Sequence, residues 1–137
     1  MEPRVSYLVG RLDRIVRRRL AGALEPYGLS LQEYTTLSVL HARSGLSNAQ
    51  LARRSLITPQ AMNEVLARLE QRGLVRRRPD PAHGRARPAE LTAAGKRLLR
   101  RADGAVDAVE REIFDDVDGE RLRELLTTAL HGVDGAA

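Results

Sequence analysis

Three observations predict a mainly α fold with one small β-hairpin. Apolar residues recur at helical spacing through most of the 137-residue chain, in segments most of which open on Ser, Thr or Asp and several of which close near Gly. An extended run, Leu74-Val75-Arg76-Arg77-Arg78, is followed by the turn-rich Pro79-Asp80-Pro81-Ala82-His83-Gly84 and by Arg85-Ala86-Arg87 leading into Ala89-Glu90-Leu91. Helical segments joined by a short turn lie directly before this hairpin. That order makes a winged helix-turn-helix, here with long helices at both chain ends.

The first segment places Val5, Leu8, Val9, Leu12, Ile15, Val16, Leu20 and Leu24 on one helical face, with Arg11, Arg14, Arg17, Arg18 and Arg19 on the others. Pro26 and Gly28 end it. The stripe is broader than a small core needs and suggests a second surface to bury, against another subunit. Ser30-Leu31-Gln32-Glu33 has the form of a capping box and starts a helix to about Ala42, with Leu31, Tyr34, Leu37 and Leu40 inward. Ser47-Asn48-Ala49-Gln50 repeats the device for a short helix through about Arg54. Thr58-Pro59 opens the next helix: Thr accepts a bond from the free amides of the first turn, and Pro loses no useful donor there.

In that helix Met62, Val65, Leu66 and Leu69 share one apolar face. The opposite face carries Gln60, Asn63, Glu64, Arg68 and Gln71, mostly amide and carboxylate chemistry rather than a Lys/Glu mix. Gly73 supplies the left-handed stop. After the hairpin Thr92 caps a helix from Ala93 to about Phe114, with Leu98, Leu99, Ala102, Val106, Val109 and Ile113 on its apolar side. Asp118 caps the last helix, whose stripe is Leu122, Leu125, Leu126, Ala129, Leu130 and Val133. So clean a stripe at a chain end predicts a helical dimer interface built from both ends of the chain. The alternative is that the last helix folds back on its own domain.

Composition narrows the function. With no cysteine, disulfides, thiolate metal sites and thiol redox sensing are excluded. No apolar run approaches the ~18 residues of a membrane span, and Met1 to Gly10 lacks a signal-peptide core, so a cytoplasmic protein is expected. The net charge of +5 is unevenly placed: residues 43–101 hold fourteen basic and four acidic side chains, residues 102–137 three basic and ten acidic. This split favours a polyanionic partner for the middle of the chain. A membrane surface fits less well, because the arginines do not flank a strongly apolar stripe.

Ala49-Gln50-Leu51-Ala52-Arg53-Arg54, Thr58-Pro59-Gln60-Ala61-Met62 and Leu69-Glu70-Gln71-Arg72-Gly73-Leu74-Val75-Arg76-Arg77 then follow one another in order. With Asp80-Pro81-Ala82-His83-Gly84-Arg85 and Leu91-Thr92-Ala93-Ala94-Gly95-Lys96, this succession resembles the MarR family of bacterial transcriptional regulators over about residues 5–132. The resemblance implies one domain over 1–137: a DNA-binding lobe at about 30–92, and dimerisation helices at about 5–25 and 93–133. It implies a homodimer on double-stranded DNA at a pseudo-palindromic operator, acting as a repressor, and a small aromatic or anionic effector. Base readout is expected from Gln60, Ala61, Asn63, Glu64 and Arg68, with Gln60 and Asn63 suited to bidentate bonds with adenine and Glu64 to cytosine N4. Backbone and wing contacts are expected from Ser47, Arg53, Arg54, Thr58, Arg76, Arg77, Arg78, Arg85 and Arg87. Arg85 holds the place of the family's wing arginine, and His83 stands where the family commonly carries an acid, leaving Asp80 as the candidate brace. Dimer contacts are expected from Val5, Leu8, Leu12, Val109, Ile113, Leu122, Leu125, Leu126 and Leu130, and an effector pocket from Leu12, Tyr34 and Leu37. The aromatic content of 3% gives little sign of a built stacking pocket.

Catalysis finds no support. His41, His83 and His131 have no spacing that would gather them at a metal or a catalytic base, and no Gly-rich phosphate loop, G-x-S-x-G or H-E-x-x-H is present. No cofactor, metal or catalytic residue is expected. A metal-sensing regulator and a winged helix that binds protein instead of DNA remain as alternatives. The arginine-rich wing and the polar helix face weigh against the second.

Overall fold

A computed structural model of the chain describes residues 1–77 and 88–134. Six α-helices and a two-stranded hairpin follow in the order α1 (Val5–Leu24), α2 (Leu31–Ala42), α3 (Asn48–Arg54), α4 (Pro59–Gln71), β1 (Val75–Arg77), β2 (Ala89–Leu91), α5 (Ala93–Ile113) and α6 (Gly119–Asp134). A single 3-10 turn, Glu25–Tyr27, separates α1 from α2. The helix starts lie where the capping residues put them. Ser30 with Glu33 and Ser47 with Gln50 form reciprocal capping boxes, and the hydroxyls of Thr58 and Thr92 accept from the amides of Ala61 and Gly95. The strands pair antiparallel with Val75 opposite Leu91, Arg76 opposite Glu90 and Arg77 opposite Ala89.

Helix α2 is the hub, touching α1, α3, α4, α5 and β2. Being surrounded, it buries more than one stripe. Leu37 and Leu40 are buried and Leu31 and Tyr34 half-buried, as the spacing suggests, but Thr36 (0% exposed) and Glu33 (8%) are enclosed as well. Their polar atoms are satisfied. Thr36 Oγ1 donates to the Gln32 carbonyl at 2.8 Å, and Glu33 Oε1 accepts the Ser30 amide at 2.9 Å. Around α2 the core is completed by Leu24, Leu51, Met62, Leu66, Leu69, Val75 and Leu99.

The joint between α4 and α5 is tight. Gly73 adopts φ +71, the left-handed value that ends α4. Thr92 Oγ1 donates to the Gly73 carbonyl at 2.6 Å while capping α5, and the Thr92 amide donates to the Leu74 carbonyl at 3.1 Å. Gly95, one turn into α5, lies against that same carbonyl, and a Cβ there would overlap the Leu74 oxygen.

The two end helices stand largely bare. On α1, Val5, Leu8, Val9, Leu12 and Ile15 are exposed, and only Leu24 is buried. On α6, Leu122 is half-buried, and Leu125, Leu126, Leu130 and Val133 are exposed. Helix α6 therefore does not fold its stripe back into its own domain. One expected dimer residue needs correction: Val109 is already buried within the protomer, on an α5 that packs along α1.

The α4–α5 joint generates a stability prediction whose sign opposes helix propensity. Gly→Ala inside a helix ordinarily gains about 1 kcal/mol. Gly95→Ala should instead cost about 1–3 kcal/mol, because α5 must back away from Leu74. Thermal melting of the two proteins checks it, and a raised melting temperature would refute the close approach.

Candidate nucleic-acid interface

Helices α3 and α4 are joined by Ser55-Leu56-Ile57, which reverses the chain within one turn. The Ser55 amide donates to Leu51 O at 3.0 Å and the Ile57 amide to Ala52 O at 3.1 Å. Leu56 sits between them at φ +61 and is 81% exposed. A leucine in the left-handed region is strained, and its side chain gains nothing from burial there. Nothing in the structure explains why leucine occupies this position.

Helix α4 sits on the core through Met62, Val65, Leu66 and Leu69, all 1% exposed or less. With that face anchored, Gln60, Asn63, Glu64 and Arg68 necessarily project outward, and all four are exposed. Ala61 is half-buried, so it offers less surface than the other expected readout residues. One contact crosses the outer face: Asn48 Nδ2, at the first position of α3, donates to Asn63 Oδ1.

The arginines divide into two groups. Arg53 and Arg54, in the last turn of α3, are exposed and make no ion pair among the described residues. Ser47 and Thr58, at the N-caps of α3 and α4, are also exposed. The β1 arginines are engaged instead. Arg76 Nε donates to its cross-strand partner Glu90 at 2.8 Å, and Arg77 lies 3.8 Å from Glu70 and is only 24% exposed along its side chain. Carboxylates thus face both arginines of β1, and Arg76 stays 55% exposed along its side chain. Arg78, Arg85 and Arg87, with Asp80 and His83, lie outside the described residues.

A link that the spacing does not reveal holds the far end of α4. Arg72 Nη1 donates to the Gly28 carbonyl at 2.8 Å and reaches Glu33 Oε2 at 3.4 Å. It thus ties α4 to the turn between α1 and α2. On the other side of α2, the Tyr34 hydroxyl donates to Asp103 Oδ1 on α5 at 2.5 Å. Burial first, and then this bond, push the phenol above its ordinary range, so it remains a neutral donor.

These positions also revise the expected effector pocket. Leu37 is fully enclosed and presents no surface to a ligand, Leu12 is exposed on α1, and the Tyr34 hydroxyl is taken. Two open recesses lie elsewhere. One of about 590 Å³ sits at the α5–α6 turn among Asp107, Phe114, Val117 and Leu126. Another of about 750 Å³ lies between the end of α2, α3 and Leu130, with Arg43, Arg53 and Arg54 on its wall. Among the described residues no three His, Asp or Glu side chains gather as a metal set, and no helix is long and apolar enough to cross a membrane.

The comparisons with known proteins fall on this same arrangement. Residues 27–86, which run from the end of the 3-10 turn and take in α2, α3, α4 and β1, match the MarR family model. The chain is 40% identical over 120 residues to the HTH-type transcriptional repressor Rv2887 of Mycobacterium tuberculosis, covering 88% of this chain and 86% of the relative. The chain belongs to the MarR family. Two crystal structures of the M. tuberculosis MarR-family protein Rv2887 superpose on it. The complex with DNA has a TM-score of 0.74 at 36% identity, covering 93% of this chain and 96% of that one. The complex with salicylic acid has a TM-score of 0.75 at 38% identity, covering 93% and 95%. The family match thus includes α1, α5 and α6 as well as the winged-helix lobe.

The Arg72 link yields a prediction for this MarR-family lobe. Arg72→Ala should cost about 1–2 kcal/mol: a charge-assisted bond is lost, the side chain is partly exposed, and Glu33 stays enclosed without its cation. A melting temperature lowered by several degrees is expected. An unchanged one would show that the link carries nothing.

Proposed function

We propose that the protein is a homodimeric, sequence-specific DNA-binding transcriptional regulator. On this reading it represses from a pseudo-palindromic operator and is released by a small aromatic or anionic ligand. The observation that carries the reading is α4: an outward polar face on a helix immobilised by a fully buried apolar one, with Arg53 and Arg54 exposed on the preceding helix. Such a helix presents amides and carboxylates at fixed spacing to a major groove, while the arginines neutralise phosphates. Rv2887, 40% identical, is named a repressor, and its structures with DNA and with salicylic acid support extending both properties to this chain. The reading is of a binding protein without catalytic activity, working in the cytoplasm where the DNA is.

In this reading Gln60 reads adenine through both halves of its amide, Glu64 accepts from cytosine N4, and Arg68 reaches guanine or a phosphate. Arg53, Arg54, Ser47 and the N-terminus of α4 at Thr58 hold the backbone. Arg85 reaches the minor groove, and Arg78 and Arg87 serve as phosphate contacts. The bare stripes Val5, Leu8 and Leu12 on α1 and Leu122, Leu125, Leu126 and Leu130 on α6, together with Ile113, form the dimer. Residues about 30–92 are the DNA-binding lobe, and about 5–25 and 93–133 the dimerisation region. Two lobes related by a two-fold axis place their α4 helices ~34–36 Å apart, in successive major grooves.

Selection of bound sequences from a random duplex pool should return a two-fold symmetric motif. If no sequence is enriched, the reading fails. Arg53→Ala should weaken binding on every sequence and lower the slope of log K against log salt by about 0.9, the value of one phosphate contact. A separate measurement addresses assembly. Leu126→Glu should shift the protein from dimer to monomer in sedimentation and abolish tight operator binding, and a dimer that survives it would remove α6 from the interface.

A further inference from the structure

We propose that the recess between the end of α2, α3 and α6 binds a small amphipathic organic anion, a carboxylate or sulfonate on an apolar body. Such an anion competes with DNA for the same arginines. The site stands on its own geometry, and the competition rests on the DNA-binding reading above. The recess measures about 750 Å³, within the range of small-molecule pockets. Leu46, just before the cap of α3, and Leu56, in the α3–α4 turn, give it an apolar wall, to which Leu130 of α6 adds. Arg43 follows α2, and Arg53 and Arg54 end α3; all three line the recess and are exposed. No lining residue carries a carboxylate, and among the described residues none of the three guanidinium groups has an ion-pair partner. Three like charges therefore share one recess without a neutralising group, and an anion placed among them relieves their repulsion.

Leu56 is the second observation. It holds a left-handed φ of +61 with 81% of its surface in solvent. Packing within the chain rewards neither the strain nor the exposure, and strain of this kind collects at ligand clamps. A phosphate backbone has no apolar body and would leave Leu56 bare. An anion with an apolar body covers Leu56 while its charged end meets the arginines, so it satisfies both features at once.

Arg53 and Arg54 are the cations assigned above to DNA phosphates. A ligand held by them removes those contacts directly, so ligand and operator exclude one another. Direct exclusion has a signature of its own. The apparent operator Kd rises in proportion to ligand concentration, whereas coupling between separate sites levels off at a fixed factor.

The probe is 2-naphthoate, with the uncharged 2-naphthamide as its control, titrated calorimetrically into the full chain without DNA. The amide should bind about tenfold more weakly, the scale of a hydrogen bond to a charged group. Arg43 lies outside the assigned DNA contacts, so Arg43→Ala should weaken 2-naphthoate about fivefold and leave operator affinity unchanged. Leu56→Asn suits a left-handed backbone and removes the apolar cover. It should weaken the probe about fivefold as well, while melting no lower than the wild type.

Probe affinity lowered by both substitutions, with an operator Kd that climbs steadily with 2-naphthoate, supports the inference. No binding of 2-naphthoate, equal binding of the amide, or an affinity indifferent to Arg43 and Leu56 overturns the site. A plateau in the operator Kd overturns the competition. If no duplex binds the protein at all, the regulator reading falls and takes the competition with it, whereas the probe titrations still decide the site.

Discussion

The hydrogen bond from Thr92 to the Gly73 carbonyl is the constraint on which the arrangement turns. It joins the cap of α5 to the stop of α4, and Gly95 lets the two backbones meet without a side chain between them. The recognition helix is thus fastened to the long helix that runs toward the exposed end of the molecule. Arg72 fastens the same end of α4 to the turn between α1 and α2. Held from two sides at its C-terminal end and by its apolar face along its length, α4 moves only with the elements that carry it. On the proposed regulatory reading, these attachments are what couple the outer face of α4 to α1 and α5.

Charge is distributed by the same logic. Fourteen basic side chains in residues 43–101 look in the sequence like a single polyanion-binding block. Folded, they separate. Arg72, Arg76 and Arg77 are drawn into intramolecular contacts with Glu33, Glu90 and Glu70, whereas Arg53 and Arg54 remain exposed. An arginine already paired loses one interaction to make another, so its net contribution to phosphate binding is smaller than its charge suggests.

Much of the fold was legible because helix boundaries are local chemistry. Ser30, Ser47, Thr58 and Thr92 cap helices as their positions imply, and Gly73 takes the left-handed conformation expected of a stop. What escaped the sequence depends on distant partners. Thr36 and Glu33 are enclosed because α2 is packed on several sides, a property of the whole fold that one helical stripe cannot express. The same enclosure takes Leu37 out of any pocket, and α1 lying along α5 takes Val109 out of the expected interface. The Arg72–Gly28 and Asn48–Asn63 contacts join residues far apart in the chain, so spacing carries no trace of them. Gly95 did carry a signal: a glycine in the first turn of a capped helix opposes propensity, and a close backbone approach accounts for it.

The ends of the chain complete the argument. Burying one leucine or valine side chain contributes about 1.5–3 kcal/mol, and a helix of sixteen residues is marginal in water without such burial. Yet α6 leaves Leu125, Leu126, Leu130 and Val133 in solvent, and α1 leaves Val5, Leu8, Val9, Leu12 and Ile15. Among the described residues neither stripe is buried within the protomer. On the homodimer reading their burial between two copies supplies what α6 lacks alone, so folding of the end helices and association become one process. On that reading the stability of the protein depends on its concentration.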